Sequence, residues 1–221
     1  MPEITEEQFT AEALAFLAAN AKRKPERKTA KWGEGSDSAA FFEEKDRATE
    51  LRDVEDAKAW RRKKFDAGYG WITGPVARGG RGLPSSFDRM YNGLEGQFEI
   101  PNQGCFTIGL GMVAPTFLAH GSEQAIEKYV KPMWRGEIVG CQLFSEPGAG
   151  SDLASLQTKA ERDGDEWVIT GQKVWTSGAH YSDVGEVICR TDPSLPKHKG
   201  LTGFIVDMKD PRIEVRPRSS A

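Results

Sequence analysis

The sequence has few cysteines and histidines, and this scarcity argues against two common kinds of site. Three cysteines and three histidines occur among 221 residues. Cys105, Cys141 and Cys189 are widely spaced, odd in number and set in apolar surroundings, so they fit neither a disulfide framework nor a set of metal ligands. No histidine has a partner at zinc-binding spacing. We therefore expect reduced, buried thiols and no metal site.

The sequence also lacks an excess of charge of either sign and any long apolar run. Charged residues make up 29% and the formal net charge is −3, so neither nucleic-acid binding nor a disordered acidic tail is indicated. The longest apolar stretches, such as Val113 to Ala119, are too short to span a membrane, and the acidic N-terminus is unlike a targeting segment. We expect a cytoplasmic protein of one large or two modest domains.

Apolar residues at helical spacing dominate the chain up to about Arg135. Thr5 and Gln8 predict a capping box for the first helix, and the basic segment from Ala21 to Gly35 is predicted to be a loop. The predicted helices are Glu6 to Ala19, a long helix from Ser36 or Asp37 to Gly68, one opened by Pro84, Asn102 to Ala119, and Ser122 to Lys131 ended by Pro132. Residues 1–137 are therefore predicted to form an all-helical domain.

From Ile138 onward the pattern changes to short stretches of strand character. The predicted strands are Ile138 to Phe144, Leu156 to Glu161, Glu166 to Thr170, Gln172 to Trp175, Val184 to Arg190, Leu201 to Val206 and Ile213 to Arg216. Asp163-Gly164 is a strong hairpin-turn signal. Closely spaced short strands predict an antiparallel β-barrel or sandwich for residues 138–221, so the predicted fold class is α+β.

The first of these strands runs directly into Glu146–Asp152 (EPGAGSD), which can continue neither a strand nor a helix. Gly148 and Gly150 permit positive φ and let backbone N–H groups approach a ligand closely, while Ser145 and Ser151 add hydroxyl groups. Such a loop suits a polar or anionic ligand. Taken alone, it is equally typical of an ordinary surface loop.

Three motifs in this order resemble the acyl-CoA dehydrogenase family of flavoproteins. They are FSEPGAGSD at 144–152, GDEWVITGQKVWTSG at 164–178 and GLTGFIVDM at 200–208, with a weaker likeness at 120–137. The resemblance implies FAD as cofactor, oxidation of an acyl-CoA thioester to the trans-2-enoyl product in fatty acid β-oxidation or related lipid metabolism, an acceptor like electron-transfer flavoprotein, and an oligomer. It also implies the helical domain and the β-barrel domain.

The resemblance assigns flavin-binding roles to both motifs. Trp175 would stack near the isoalloxazine, Thr176 and Ser177 would supply donors to its reactive nitrogen, and Ser151 would bond the pyrophosphate and lie near the pantetheine of the substrate. The predicted cofactor-binding residues are Gln142, Phe144, Ser145, Gly150, Ser151, Trp175, Thr176 and Ser177, with Ser151 also substrate-binding. Without the resemblance, Trp175 is equally consistent with a core residue and each serine with a turn hydroxyl.

Two departures from the family pattern are visible. Pro75–Gly80 lacks the glutamate of the family's loop at this place, and Trp175–Gly178 lacks its asparagine. The family's catalytic glutamate lies in a helical bundle after the β domain, so we assign no catalytic residue; Glu146, Glu161 and Glu166 belong to motifs or hairpins. A fragment, one half of a split enzyme, a non-catalytic subunit that assembles with a full-length relative, and an acyl-CoA oxidase all remain open.

Overall fold

The computed structural model describes residues 4–25 and 46–216. They belong to two compact units, which divide between Gln103 and Gly104. The predicted domain boundary at residue 137 falls inside the second unit and stays a prediction. Ser36 and Asp37, predicted to cap the second helix, lie outside the described residues.

The described residues of the first unit contain three α-helices. They are α1 (Glu6–Asn20), α2 (Arg47–Asp66) and α3 (Ser85–Glu95), with a 3₁₀ turn at Val76–Arg78. The predicted capping box is confirmed, because Gln8 N donates to Thr5 Oγ1 at 3.2 Å and Thr5 N donates to Gln8 Oε1 at 3.1 Å. The unit is not entirely helical, since β1 (Lys22–Arg23) pairs antiparallel with β2 (Phe98–Glu99).

The core of the first unit is aromatic. Phe9 of α1 meets Phe87 of α3 edge-on, with ring centroids 5.0 Å apart. Tyr69 stacks on Tyr91 at 4.8 Å with an interplanar angle of 10°. Offset and edge-on pairs of this kind add to the free energy of burying the rings.

A buried charge network crosses the same unit. Glu95 accepts hydrogen bonds from Trp60 Nε1 at 2.9 Å and from Lys64 Nζ at 3.1 Å. The side chains of Lys64 and Glu95 are only 7% and 9% exposed. Burial lowers the pKa of Lys64, while the Glu95 carboxylate opposes that shift.

The second unit begins with a helical segment. It comprises a 3₁₀ turn at Gly104–Phe106, a π-helical turn at Gly109–Val113, α4 (Ala114–His120), α5 (Glu123–Ala125), a π-helical turn at Ile126–Val130 and α6 (Lys131–Arg135). The prediction that Pro132 ends a helix is wrong, because α6 continues to Arg135 and Gly136 (φ 80°) caps it. Pro115 and Pro132 each follow a π-helical turn and occupy the first turn of the next helix, where a missing N–H costs least.

The sheet of the second unit has five strands. They are β3 (Gly140–Leu143), β4 (Lys159–Asp163), β5 (Glu166–Thr170), β6 (Val184–Arg190) and β7 (Leu201–Asp207). β6 is central: it pairs antiparallel with β7 along its length, parallel with β3, and parallel with β4 where Lys159 faces Arg190. β4 and β5 form the predicted hairpin, with Gly164 at φ 60° in its turn.

The α+β class is confirmed, but the expected antiparallel barrel is not what the described strands form. Their sheet is open and mixed. The long connection from β3 to β6 returns the chain in the same direction, so those two strands pair in parallel. Cys141 and Cys189 are buried and free in this unit, whereas Cys105 is only half-buried.

Two predicted strands do not form. Residues 172–175 make no ladder; Val174 N donates to Ser145 O at 2.8 Å, and the chain turns at Trp175, where φ is 59°. Residues 213–216 also lie outside the sheet, and their backbone follows a local turn. No helix in ranges 4–25 and 46–216 has the length and apolarity needed to cross a bilayer.

Candidate functional site

β3 delivers the chain to the glycine-rich loop, which is closed by its own backbone. Glu146 N donates to Ala149 O at 2.9 Å, and Ala149 N donates back to Glu146 O at 3.1 Å. Neither Gly148 nor Gly150 has the positive φ that their sequence permits. A Cβ at either position would have no atom within 4 Å apart from those of the residues next to it in the chain, so both glycines leave open space at the loop surface.

The Glu146 carboxylate links this loop to two other segments of the chain. Its Oε2 accepts from Gln157 N at 2.6 Å, and its Oε1 accepts from Thr158 N at 2.9 Å and from Lys173 Nζ at 2.8 Å. The side chains of Glu146 and Lys173 are 6% and 8% exposed. A buried carboxylate with three donors is fully solvated by protein groups.

The protonation state of Glu146 follows from these donors. Burial pushes its pKa upward, but the Gln157 N–H, the Lys173 ammonium and Thr158 outweigh burial and lower the pKa to about 2. Glu146 is therefore ionised at neutral pH, and its oxygens are engaged by protein donors. A carboxylate held in this way is a poor general base at neutral pH, and the expectation that Glu146 is not catalytic stays a prediction.

Lys173 connects the glycine-rich loop to the second predicted motif. Its Nζ also donates to Phe144 O at 3.0 Å, at the end of β3. The next residue, Val174, donates its N–H to Ser145 O at 2.8 Å. The motifs around 144–151 and 173–177, separate in sequence, thus lie side by side.

Trp175 follows Val174 directly and lies at the surface. Its side chain is 78% exposed, so the alternative of a core tryptophan is wrong. Its φ of 59° is unusual for a bulky residue and signals local strain. The Oγ1 atom of the following Thr176 is buried and has no hydrogen-bond partner in the described part of the chain, whereas Ser177 is exposed.

The two predicted loop serines differ in their surroundings. Ser145 is half-buried and its carbonyl is bonded to the second motif, whereas Ser151 is exposed. Beside Ser151, Asp152 accepts from Ser155 Oγ at 2.5 Å and pairs with Lys197, and these contacts lower the pKa of Asp152. The structure thus brings Ser145 next to the second motif through the chain contact described above and leaves Ser151 at the loop surface.

Gln142 lies within β3, opposite Glu186 in the β3–β6 register. Glu186 is buried, and burial raises its pKa, while a hydrogen bond with the Gln142 side chain partly opposes the shift. Sequence reasoning missed Glu186. A carboxylate in the middle of the otherwise apolar stretch from Val184 to Cys189 was the signal that could have identified it.

Arg190 of β6 is a second residue that sequence reasoning missed. Its Nη2 donates to Ala154 O at 2.6 Å and its Nε donates to Leu156 O at 3.4 Å, so it fixes the chain that follows the glycine-rich loop. A cavity of about 470 Å³ lies between the glycine-rich loop, the segment before β4 and the segment after β5. It is lined by Glu146, Pro147, Gly148, Ser155, Gln157, Thr158, Gly171 and Gln172, and so by none of the eight predicted cofactor residues.

No three His, Cys, Asp or Glu side chains converge as metal ligands would anywhere in the ranges that the structure covers. The site therefore consists of backbone groups, hydroxyls, an exposed aromatic ring and one buried ion pair. Such a surface is suited to a ligand with a planar ring system and polar edges.

Comparison with known proteins shows which family the chain belongs to. A family profile described as "Acyl-CoA dehydrogenase, middle domain" matches residues 141–221. Acyl-CoA dehydrogenase FadE34 of Mycobacterium tuberculosis is 61% identical over 104 residues, which are 47% of this chain and 15% of FadE34. Acyl-CoA dehydrogenase IpdE1 of the same organism is 33% identical over 211 residues, which are 96% of this chain and 51% of IpdE1.

Solved structures give the same answer. The structure of the "Tcur3481-Tcur3483 steroid ACAD" superposes with a TM-score of 0.63 at 30% identity, over 91% of this chain and 47% of that chain. The ChsE4-ChsE5 complex from Mycobacterium tuberculosis superposes with a TM-score of 0.64 at 26% identity, over 94% of this chain and 48% of that chain. The protein has an α+β fold, and it belongs to the acyl-CoA dehydrogenase family. It spans about half the length of relatives such as IpdE1.

The site residues are compatible with a flavin. Trp175 offers an exposed ring plane, and the buried Thr176 Oγ1 is a polar atom that a ligand can satisfy. The open space over Gly148 and Gly150 admits a group close to the backbone. The cofactor-binding roles that the resemblance implies for Trp175, Thr176 and Gly150 stay predictions.

Proposed function

We propose that this chain carries the flavin-facing part of an FAD-dependent acyl-CoA dehydrogenase, which oxidises an acyl-CoA thioester to the trans-2-enoyl-CoA. The observation that supports this most is the side-by-side placement of residues 144–151 and 173–177. Hydrogen bonds from Lys173 and Val174 to Phe144 and Ser145 bring the two segments together, and the second segment carries an exposed tryptophan and a buried hydroxyl without a hydrogen-bond partner in the described chain. When bound, the flavin would accept the hydride from the β-carbon of the substrate.

The predicted roles divide between binding and orientation. Trp175 would hold the flavin ring by stacking, and Thr176 and Ser177 would donate hydrogen bonds to its edge. Gln142, Phe144 and Ser145 would face the pyrimidine side. Gly150 would let the pyrophosphate approach the backbone, and Ser151 would bind both that group and the substrate.

No residue in the described ranges is proposed as the base that removes the α-proton. A useful base needs a pKa near the working pH, and Glu146 is held far below it. Glu161 and Glu166 lie exposed on the β4–β5 hairpin. The chain's own described contribution is therefore cofactor and substrate binding rather than proton transfer.

Similar proteins suggest which substrates and partners to test. One solved structure, 30% identical to this chain, is that of a steroid enzyme, so a CoA thioester with a steroid-bearing acyl group should be assayed beside straight-chain thioesters. Two similar structures are named as pairs of proteins, which favours assembly with a second, related chain. We therefore propose a homo- or hetero-oligomer that passes electrons to an acceptor like electron-transfer flavoprotein.

Two alternative functions are separated by the same set of measurements. A non-catalytic subunit would never acquire flavin, even when purified together with its native partners. An acyl-CoA oxidase would bind flavin but produce hydrogen peroxide in air with an acyl-CoA substrate. A dehydrogenase would bind flavin and reduce an artificial electron acceptor.

The direct test is titration of the purified chain, alone and co-purified with partners, with FAD while flavin absorbance and fluorescence are recorded. We expect Thr176→Val to weaken FAD binding by about tenfold, the effect of losing one well-formed hydrogen bond from a buried site. Thr170→Val is the matched control, because Thr170 is exposed on β5. Absence of flavin binding by the wild-type chain in every assembly would refute the proposed function.

A further inference from the structure

The Glu146–Lys173 ion pair joins the two motifs without belonging to either set of predicted ligand-binding groups. Lys173 Nζ reaches Phe144 O at 3.0 Å and Glu146 Oε1 at 2.8 Å. Both side chains are more than nine-tenths buried, although Glu146 is among the residues that line the cavity described above. Their contacts are with the backbone and with each other.

Three chain segments meet at this pair. The segment that leaves β3 is held through Phe144 O, the segment that enters β4 is held through Gln157 N and Thr158 N, and the second motif carries Lys173 itself. The second motif makes no β-ladder here. Its backbone contact with the loop is the bond from Val174 N to Ser145 O.

The strained conformation of Trp175 adds a reason for such an anchor. A tryptophan at φ 59° persists only where neighbouring contacts over-determine it. Lys173 lies two residues before Trp175, and the ion pair and the Val174–Ser145 bond fix the chain immediately before the strained residue. Release of Lys173 would therefore allow Trp175 to relax.

We propose that Lys173 and Glu146 are positioning residues, which set the location of Trp175–Ser177 relative to the Ser145–Ser151 loop. Their importance for flavin binding rests on the proposed function. The positioning itself is a property of the polypeptide, and it is measurable without cofactor.

A double substitution separates positioning from stability. Lys173→Met alone leaves the Glu146 carboxylate buried without its cation, which is strongly destabilising. Adding Glu146→Gln removes that charge, and its amide oxygen can accept from one of the two donors Gln157 N and Thr158 N, so the double variant should recover part of the lost stability. The double variant still lacks the ammonium group that donates a hydrogen bond to Phe144 O.

Lys64→Met is the matched control. Lys64 is also a buried lysine, paired with Glu95 at 3.1 Å with similar side-chain exposures, but it lies in the first compact unit. It loses the same chemical group and a comparable ion pair. Its substitution should lower stability without altering the contact between the two motifs.

The experiment compares four proteins: wild type, Lys173→Met, the double variant and Lys64→Met. For each protein it measures amide hydrogen exchange at Val174 without FAD, and then the dissociation constant for FAD. We expect about tenfold faster exchange at Val174 in Lys173→Met and in the double variant, with Lys64→Met like wild type. FAD binding should weaken by about 10- to 100-fold in the same two variants, because small misplacements of a binding group are costly.

The outcomes are distinct. If the double variant recovers stability together with wild-type exchange at Val174, the ion pair is only structural and the inference is overturned. If exchange changes as expected but the wild-type chain binds no FAD in any assembly, the positioning stands and the proposed function fails. Should Lys173→Met fail to fold, the double variant carries the comparison.

Discussion

The Glu146 carboxylate should make a large, pH-dependent contribution to the stability of the second unit. In the folded protein its pKa is lowered from an ordinary value of 4.5 to about 2. At about 1.4 kcal/mol per pKa unit, this shift corresponds to about 3 kcal/mol of stabilisation at neutral pH. Replacing Glu146 by Gln removes the charge that Lys173 needs, and we expect a loss of at least about 3 kcal/mol at pH 7.

The direction with pH follows from the sign of the shift. Because the folded-state pKa is lower than the unfolded one, the stabilisation is fully present above about pH 4.5 and is lost as the pH falls toward about 2. Cys189 lies close enough to sense both charges, but burial raises the pKa of its thiol to about 11, so it stays neutral throughout this range.

The assay is urea unfolding at several pH values between 7 and 3, followed by circular dichroism, for wild type and Glu146→Gln. Wild type should lose stability steeply below about pH 4.5, and the variant should lose less over the same interval. Glu214→Gln is the control, because Glu214 pairs with Arg216 at 2.7 Å on the surface, where solvent screens the pair. Equal stability of wild type and Glu146→Gln at pH 7 would show that the carboxylate is not held as described.

Two further substitutions test the geometry around the loop. Trp175→Asn should raise the free energy of unfolding by about 1 kcal/mol, because asparagine tolerates φ of 59°. The same substitution should weaken FAD binding. A loss of stability in urea unfolding would contradict the strain at Trp175. Gly171→Ala should destabilise by about 1–3 kcal/mol, because its Cβ would lie 2.3 Å from Thr158 Oγ1. Gly148→Ala, whose Cβ meets nothing within 4 Å, should change stability by less than about 0.5 kcal/mol, and equal effects of the two alanines would count against the close packing at Gly171.

Local signals in the sequence predicted the local parts of this fold well. The Thr5–Gln8 capping box and the Asp163-Gly164 turn depend on residues a few positions apart, and both are present. Strand pairing depends on distant segments, and the parallel pairing of β3 with β6 has no signature in either strand. The prediction that a helix ends at Pro132 was wrong because a new α-helix begins after the π-helical turn, with Pro132 in its first turn. Residue preferences do not reveal this arrangement.

For the candidate site, too, the sequence indicated the local motifs but not the contacts between distant residues. Motif order identified the glycine-rich loop and Trp175–Ser177, while the groups that hold them together were missed. Lys173 looks like any lysine in a polar turn, and only the fold shows that it is buried against Glu146. Arg190 reaches across 36 positions to Ala154, a contact that spacing cannot predict.

The central claim is that residues 144–151 and 175–177 form one flavin-binding surface. Amide hydrogen exchange of the chain with and without FAD, in the assembly that binds it, tests this claim residue by residue. We expect FAD to slow exchange in both segments together and to leave the β5 strand from Glu166 to Thr170 unchanged. Bound FAD that protects neither segment, or protects only one of them, would contradict the claim.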